Sequence, residues 1–116
     1  MVMAIGDLGW RPVRMPCMHM VINHLTVSAP PAADTLVDLQ HRALVEAAAI
    51  DGVLDVSLVQ VDEHHLIFVI VGDTPEALER LSQQVGGPWV QEHLGPLFTA
   101  PPERSVGTVL ASTRLA

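Results

Sequence analysis

The chain contains no lysine, no tyrosine and a single cysteine, and only two tryptophans and two phenylalanines among 116 residues. Every basic side chain is therefore an arginine, and these six are outnumbered by thirteen carboxylates, for a formal net charge of −7. No basic stripe can form from so few cations, which argues against nucleic acid and anionic membranes as partners. Cys17 has no second cysteine to pair with and no cysteine set for a structural zinc site. That usage suits a reducing compartment, and a cytoplasmic location is expected. Without tyrosine, no phenol can act as an acid. No apolar run reaches the roughly 18 residues that suggest a membrane helix. No Gly-rich dinucleotide fingerprint follows a strand, so bound flavin or nicotinamide is not indicated. Gly86-Gly87 lacks the Lys-Ser/Thr of a phosphate loop, and no Ser-His-Asp signature appears.

What is present is apolar: 49% hydrophobic against 16% charged residues, enough for one globular domain with a modest core. The opening segment MVMAIGDLGWRPVRMPC has no periodicity. Residues 1–17 are expected to be a poorly ordered extension, with a single domain over 18–116 and Met18 or Met20 as a natural beginning. An arm packed on a partner subunit is the alternative.

Val21, Ile22, Leu25, Thr26 and Val27 favour a strand over residues 19–27, which SAPPAAD breaks with two prolines. Leu36, Leu39, Ala43, Leu44, Ala47 and Ile50 recur at helical spacing and predict a helix over 33–50, ended by Asp51-Gly52. Strands at 53–61 and 66–72, joined by DEHH, predict a hairpin. Asp73 or Thr74 caps a second helix, with Pro75 in its first turn. Gly86-Gly87-Pro88 is expected to stop that helix, followed by a short helix over 88–94 and a last strand over 105–112. The order β-α-β, β-α-β predicts an α+β fold: a ferredoxin-like four-stranded antiparallel sheet with helices on one face. LIFVIVG, however, is apolar on both sides. A sheet greasy on the face opposite its helices predicts a homodimer in which two sheets cover each other.

Two short motifs fall on defined elements: N-x-L-T-V in the first strand (Asn23 to Val27) and G-P-x-x-x-x-H after the second helix (Gly87 to His93). With the element order, they make the chain from about Met18 to Ser112 resemble the dimeric α/β-barrel proteins of the antibiotic biosynthesis monooxygenase type. That group includes the heme-degrading monooxygenases. The resemblance implies homodimers whose sheets form a barrel, with a ligand between sheet and helices in each subunit. It implies that Asn23 is aimed at substrate or oxygen, and that His93 matches the histidine that binds iron in the heme-degrading branch. That branch also carries a Trp nine or ten residues before the histidine, where this chain has Gln84 and Gln83; Trp89 is not at the matching place.

The candidate site is therefore Asn23 and His93 as catalytic groups, with Trp89, Phe68 and Leu44 as substrate-binding walls for a small hydrophobic or aromatic ligand. An amide offers both a donor and an acceptor, and imidazole moves protons near neutrality. A buried amide satisfied by backbone, and a histidine at a helix end, are the ordinary alternatives. Strand alternation puts His19 on the face of Asn23 and His24 on the opposite one. Asp62, Glu63, His64 and His65 read as a solvated turn rather than a metal site. Cys17 has no base to activate it. Arg80 and Arg104 could hold an anion, with solvated surface charge as the default. The function expected is a cofactor-independent monooxygenase acting on an aromatic or polyketide-like substrate. The alternatives are a heme-binding or heme-degrading protein with His93 as axial ligand, and a non-catalytic dimeric ligand-binding module.

Overall fold

A computed structural model describes residues 17–115, so the expected extension lies, but for Cys17, outside the described residues. Cys17 itself is exposed. Four strands, β1 (His19–Thr26), β2 (Val53–Asp62), β3 (His65–Gly72) and β4 (Glu103–Thr108), form one antiparallel sheet in the order β2-β3-β1-β4. This is the expected ferredoxin-like α+β arrangement. The two helical regions cover one face of it.

Alternation along the strands decides which face is buried. Val21, Leu25, Leu66, Phe68 and Ile70 point toward the helices and are at most 4% exposed. They join Leu39, Ala43, Ala47, Leu78, Leu81, Trp89 and Leu94 in one core. The ladder registers align residues across this face in rows. One row runs Leu58, Phe68, Asn23, Arg104, and the next runs Val56, Ile70, Val21, Val106. On the opposite face, Ile22 and Val69 are neighbours, as are His24 and Ile67, and Met20 and Val71.

Both helical regions depart from a regular α-helix. The first is α1 (Ala33–Asp38), a π-helical turn (Leu39–Ala43) and α2 (Leu44–Ala48). The second is α3 (Pro75–Leu81), a π-helical turn (Ser82–Gly86) and α4 (Gly87–His93). Thr74 caps α3 as expected, its Oγ1 accepting the Ala77 N–H at 3.1 Å. Gly86-Gly87-Pro88 does not stop the helix. Gly86 and Gly87 keep right-handed helical backbone, and the Gly87 N–H donates to the Ser82 carbonyl, a π-type bond. Pro88 then falls in the first turn of α4, where its missing donor is not needed. A Cβ on Gly87 would lie 2.6 Å from the Ser82 oxygen, so this close approach needs glycine.

The first helix ends two residues earlier than its periodicity suggests, and Gly52 (φ 90°) makes the left-handed turn into β2. The last strand begins and ends earlier than 105–112, because pairing follows β1: Glu103 lies opposite His24, and Thr108 opposite His19. No helix among the described residues is long and apolar enough to cross a membrane.

Candidate functional site

A cavity of about 220 Å³ opens between the sheet and the second helical region. Its floor is the helix-facing side of the sheet: Asn23, Leu25, Phe68, Ile70 and Arg104. Ser82, Gly86, Gly87, Val90 and Gln91 close it from above, and Phe98 and Pro102 supply one side. The π turn shapes this roof. It presents Ser82 and two residues without side chains to the floor, which leaves room beneath the helix.

Asn23 sits in mid-row between Phe68 on β3 and Arg104 on β4. Its Nδ2 donates to the Phe68 carbonyl at 3.4 Å, a long bond that leaves the amide with hydrogen-bonding capacity for a ligand. The polar groups of the lining are two amides, one hydroxyl and one guanidinium. Among the described residues, no imidazole or carboxylate lines this cavity.

His93 and Trp89 were expected here and lie elsewhere. One turn apart on α4, they project together toward the first helical region. Their rings stack, with centroids 4.8 Å apart and planes inclined by 29°. Trp89 Nε1 donates to Asp38 Oδ2 at 2.9 Å, and Arg42 grips the same carboxylate through Nε and one terminal nitrogen, both at 2.8 Å. His93 Nε2 is buried without a hydrogen-bond partner, 3.6 Å from Asp38 Oδ2. The hydrogen bonds from Arg42, then that from Trp89, hold the Asp38 carboxyl down to about 2. This cluster pins α4 to the first helix. Leu44 also misses the cavity: it borders a separate depression of about 210 Å³ with Ala48 and Val53 to Val56. Of the five expected site residues, the structure brings Asn23 and Phe68 together.

Heme ligation by His93 does not fit this arrangement. The imidazole is stacked on Trp89 with Nε2 turned toward Asp38, and it is absent from the cavity lining.

The remaining candidates have local explanations. Arg80 donates to the Asp51 carbonyl at 2.8 Å. His65 Nδ1 lies 2.8 Å from Asp62 Oδ1, and His64 Nδ1 lies 3.1 Å from the Val27 carbonyl. The His64 backbone N–H, then the His65 ring, hold Asp62 below the usual carboxylate range. Among the described residues, no three His, Cys, Asp or Glu side chains gather as a metal site. His24 is exposed on the face away from the helices.

Sequence reasoning raised Arg104 as a residue that could hold an anion without placing it beside Asn23, and it did not single out Gln91 or Ser82 among the lining residues. The place of Arg104 beside Asn23 follows only from the β1–β4 register.

No protein-family model matches the sequence, and no curated protein matches it significantly. Solved structures do share its fold. A candidate antibiotic biosynthesis monooxygenase from Nitrosomonas europaea superposes with a TM-score of 0.65 at 11% identity, covering 86% of this chain and 96% of that one. SnoaB, a cofactor-independent oxygenase from Streptomyces nogalater, gives 0.62 at 18% identity over 84% and 97%. The ActVA-Orf6 monooxygenase of Streptomyces coelicolor, solved with the ligand nanaomycin D, gives 0.63 at 14% identity over 84% and 91%. The chain thus has the fold of antibiotic biosynthesis monooxygenase-like proteins.

Proposed function

We propose that this chain is a small oxygenase that oxidises an aromatic, polyketide-like substrate in the Asn23 cavity without a bound cofactor. The observation that carries the reading is the cavity itself: an apolar space between sheet and helix with one incompletely bonded amide on its floor. Two proteins of the same fold are described as oxygenases or monooxygenases.

The chemistry needs no external reductant if the substrate supplies all four electrons that oxygen takes up. An ionised substrate adds oxygen at carbon to give a hydroperoxide, which loses water. In balance, a ring methylene becomes a carbonyl. The carbon gives up both hydrogens and keeps one atom of the dioxygen, and the other atom leaves with those hydrogens as water. The protein's part is to orient the substrate through Asn23 and to keep bulk water away. Because no imidazole or carboxylate among the described residues lines the cavity, the substrate's own acidity must supply its ionised form before it enters.

That same lack of a base favours a second reading, a ligand-binding module without turnover. Oxygen uptake with anthrone-type phenols separates the two. Saturable uptake that drops in Asn23→Ala supports the oxygenase, whereas ligand binding with no uptake above a heat-denatured control supports the module.

We further propose that the working unit is a homodimer and that the protein acts in the cytoplasm. Ile22, Ile67 and Val69 on the face opposite the helices are only partly buried, and Val59 is 45% exposed. Apolar burial stabilises by roughly 25 cal/mol per Å², so a second sheet laid on this face would add to the stability of a domain this small.

A further inference from the structure

We infer that Arg104 makes the cavity selective for an anion, so that its ligand is an aromatic carrying an ionised oxygen: a phenolate, enolate or carboxylate. This inference rests on the cavity being the ligand site, as proposed above.

Four observations lead to it. First, Arg104 stands directly opposite Asn23 across the β1–β4 ladder, and both line the cavity. Cross-strand neighbours have Cβ atoms about 5 Å apart, so one ligand oxygen can meet both an amide N–H and the guanidinium. Second, no salt bridge among the described residues ties Arg104 down. Arg42 is paired with Asp38 and Glu46, and Arg80 is bonded to the Asp51 carbonyl. Among the described residues, no carboxylate lies within 4.0 Å of the Arg104 side chain.

Third, among the described residues no acidic side chain lines the cavity to offset this charge. In a chain of net charge −7 the Arg104 end of the cavity is a local exception that would draw an anion in. Fourth, the rest of the lining suits flat rings. Phe68, Phe98, Ile70, Leu25 and Val90 are apolar, and a volume of about 220 Å³ exceeds the roughly 150 Å³ that accepts benzene. The cavity therefore has room for more than a single ring.

Anion selection also resolves the missing base. A ligand that enters as its enolate or conjugated phenolate has already given up the first of the two protons, and the second leaves with the departing hydroxide as water; a guanidinium beside the ligand oxygen favours that ionised form.

The test compares 2-naphthoate with neutral 2-naphthamide, which has the same rings, by calorimetric titration at low salt. The proteins are the full chain and its Arg104→Gln and Arg104→Lys variants. Because Arg104 is solvent-exposed, the expected preference for naphthoate is moderate, about fivefold, and shrinks as salt is added. It should vanish in Arg104→Gln and survive in part in Arg104→Lys. Unchanged naphthamide affinity in Arg104→Gln would show that the pocket is intact. Equal affinity of the two probes for the natural chain, or an undiminished preference in Arg104→Gln, overturns the anion inference and leaves the pocket reading standing. If neither probe binds, both fall together.

Discussion

The indole of Trp89 lies stacked on the imidazole of His93 and donates its N–H to Asp38 at 2.9 Å, which fixes the last helix to the first away from the ligand cavity. Trp89 is only 4% exposed, so it is a core residue with a polar handle. Trp89→Ala should cost about 3–5 kcal/mol in denaturant unfolding. Trp89→Phe should recover most of the packing while losing the bond to Asp38. An NMR titration would then find the Asp38 carboxyl closer to its ordinary value.

The same carboxylate gives a signed pH dependence. Its value in the folded chain, about 2, lies below the ordinary 3.8, so it stabilises the fold above the ordinary value. That contribution is lost as pH falls from the ordinary value through about 2. Asp62, also lowered, acts in the same direction. Asp38→Asn should therefore melt below the natural chain at neutral pH, with the gap constant down to about pH 5 and closing on further acidification. Thermal melts at a series of pH values check it; a gap that widens in acid contradicts the assignment.

Adjacent glycines should respond differently to alanine. At Gly87 the new methyl meets the Ser82 carbonyl at 2.6 Å, and the π turn must distort, at a cost of about 1–3 kcal/mol. At Gly86 the nearest atoms are 3.5 and 3.8 Å away, the second being Phe68 Cε2. Gly86→Ala should therefore fold well and reduce the room above Phe68, weakening ligand binding with little change in melting temperature. Paired melts and probe titrations distinguish the two outcomes.

The open sheet face gives a prediction about assembly. Val69→Asp places a charge at the middle of the proposed dimer seam, beside Ile22. Sedimentation should show the natural chain as a dimer and this variant shifted toward monomer at the same concentration. A natural chain that is monomeric at micromolar concentration would contradict the proposed seam.

The sheet was legible in the sequence because alternation and turn chemistry act locally. The capping Thr74, the Gly52 turn and the sidedness of Asn23 against His24 all follow from neighbours in the chain. The π turns were not legible. Each inserts a residue that rotates the following helix by about 100°, and their bonds, such as Gly87 N–H to Ser82 O, resemble a helix stop when read from Gly-Gly-Pro alone. In the folded chain Val90 and Gln91, rather than Trp89 and His93, lie over the pocket. Arg104 was legible as a cation that could hold an anion but not as a neighbour of Asn23: that pairing is with a strand some eighty residues earlier, and register across that distance leaves no local mark.

The central claim is that the Asn23 cavity is where oxygen meets an aromatic substrate. Turnover of an anthrone-type phenol under 18O2, followed by mass spectrometry of the product, tests it most directly. The account predicts one labelled oxygen per product molecule, a rate at least about tenfold lower in Asn23→Ala, and little change in His93→Ala. Product formation no faster than with heat-denatured protein, or an Asn23→Ala variant as active as the natural chain, would contradict it.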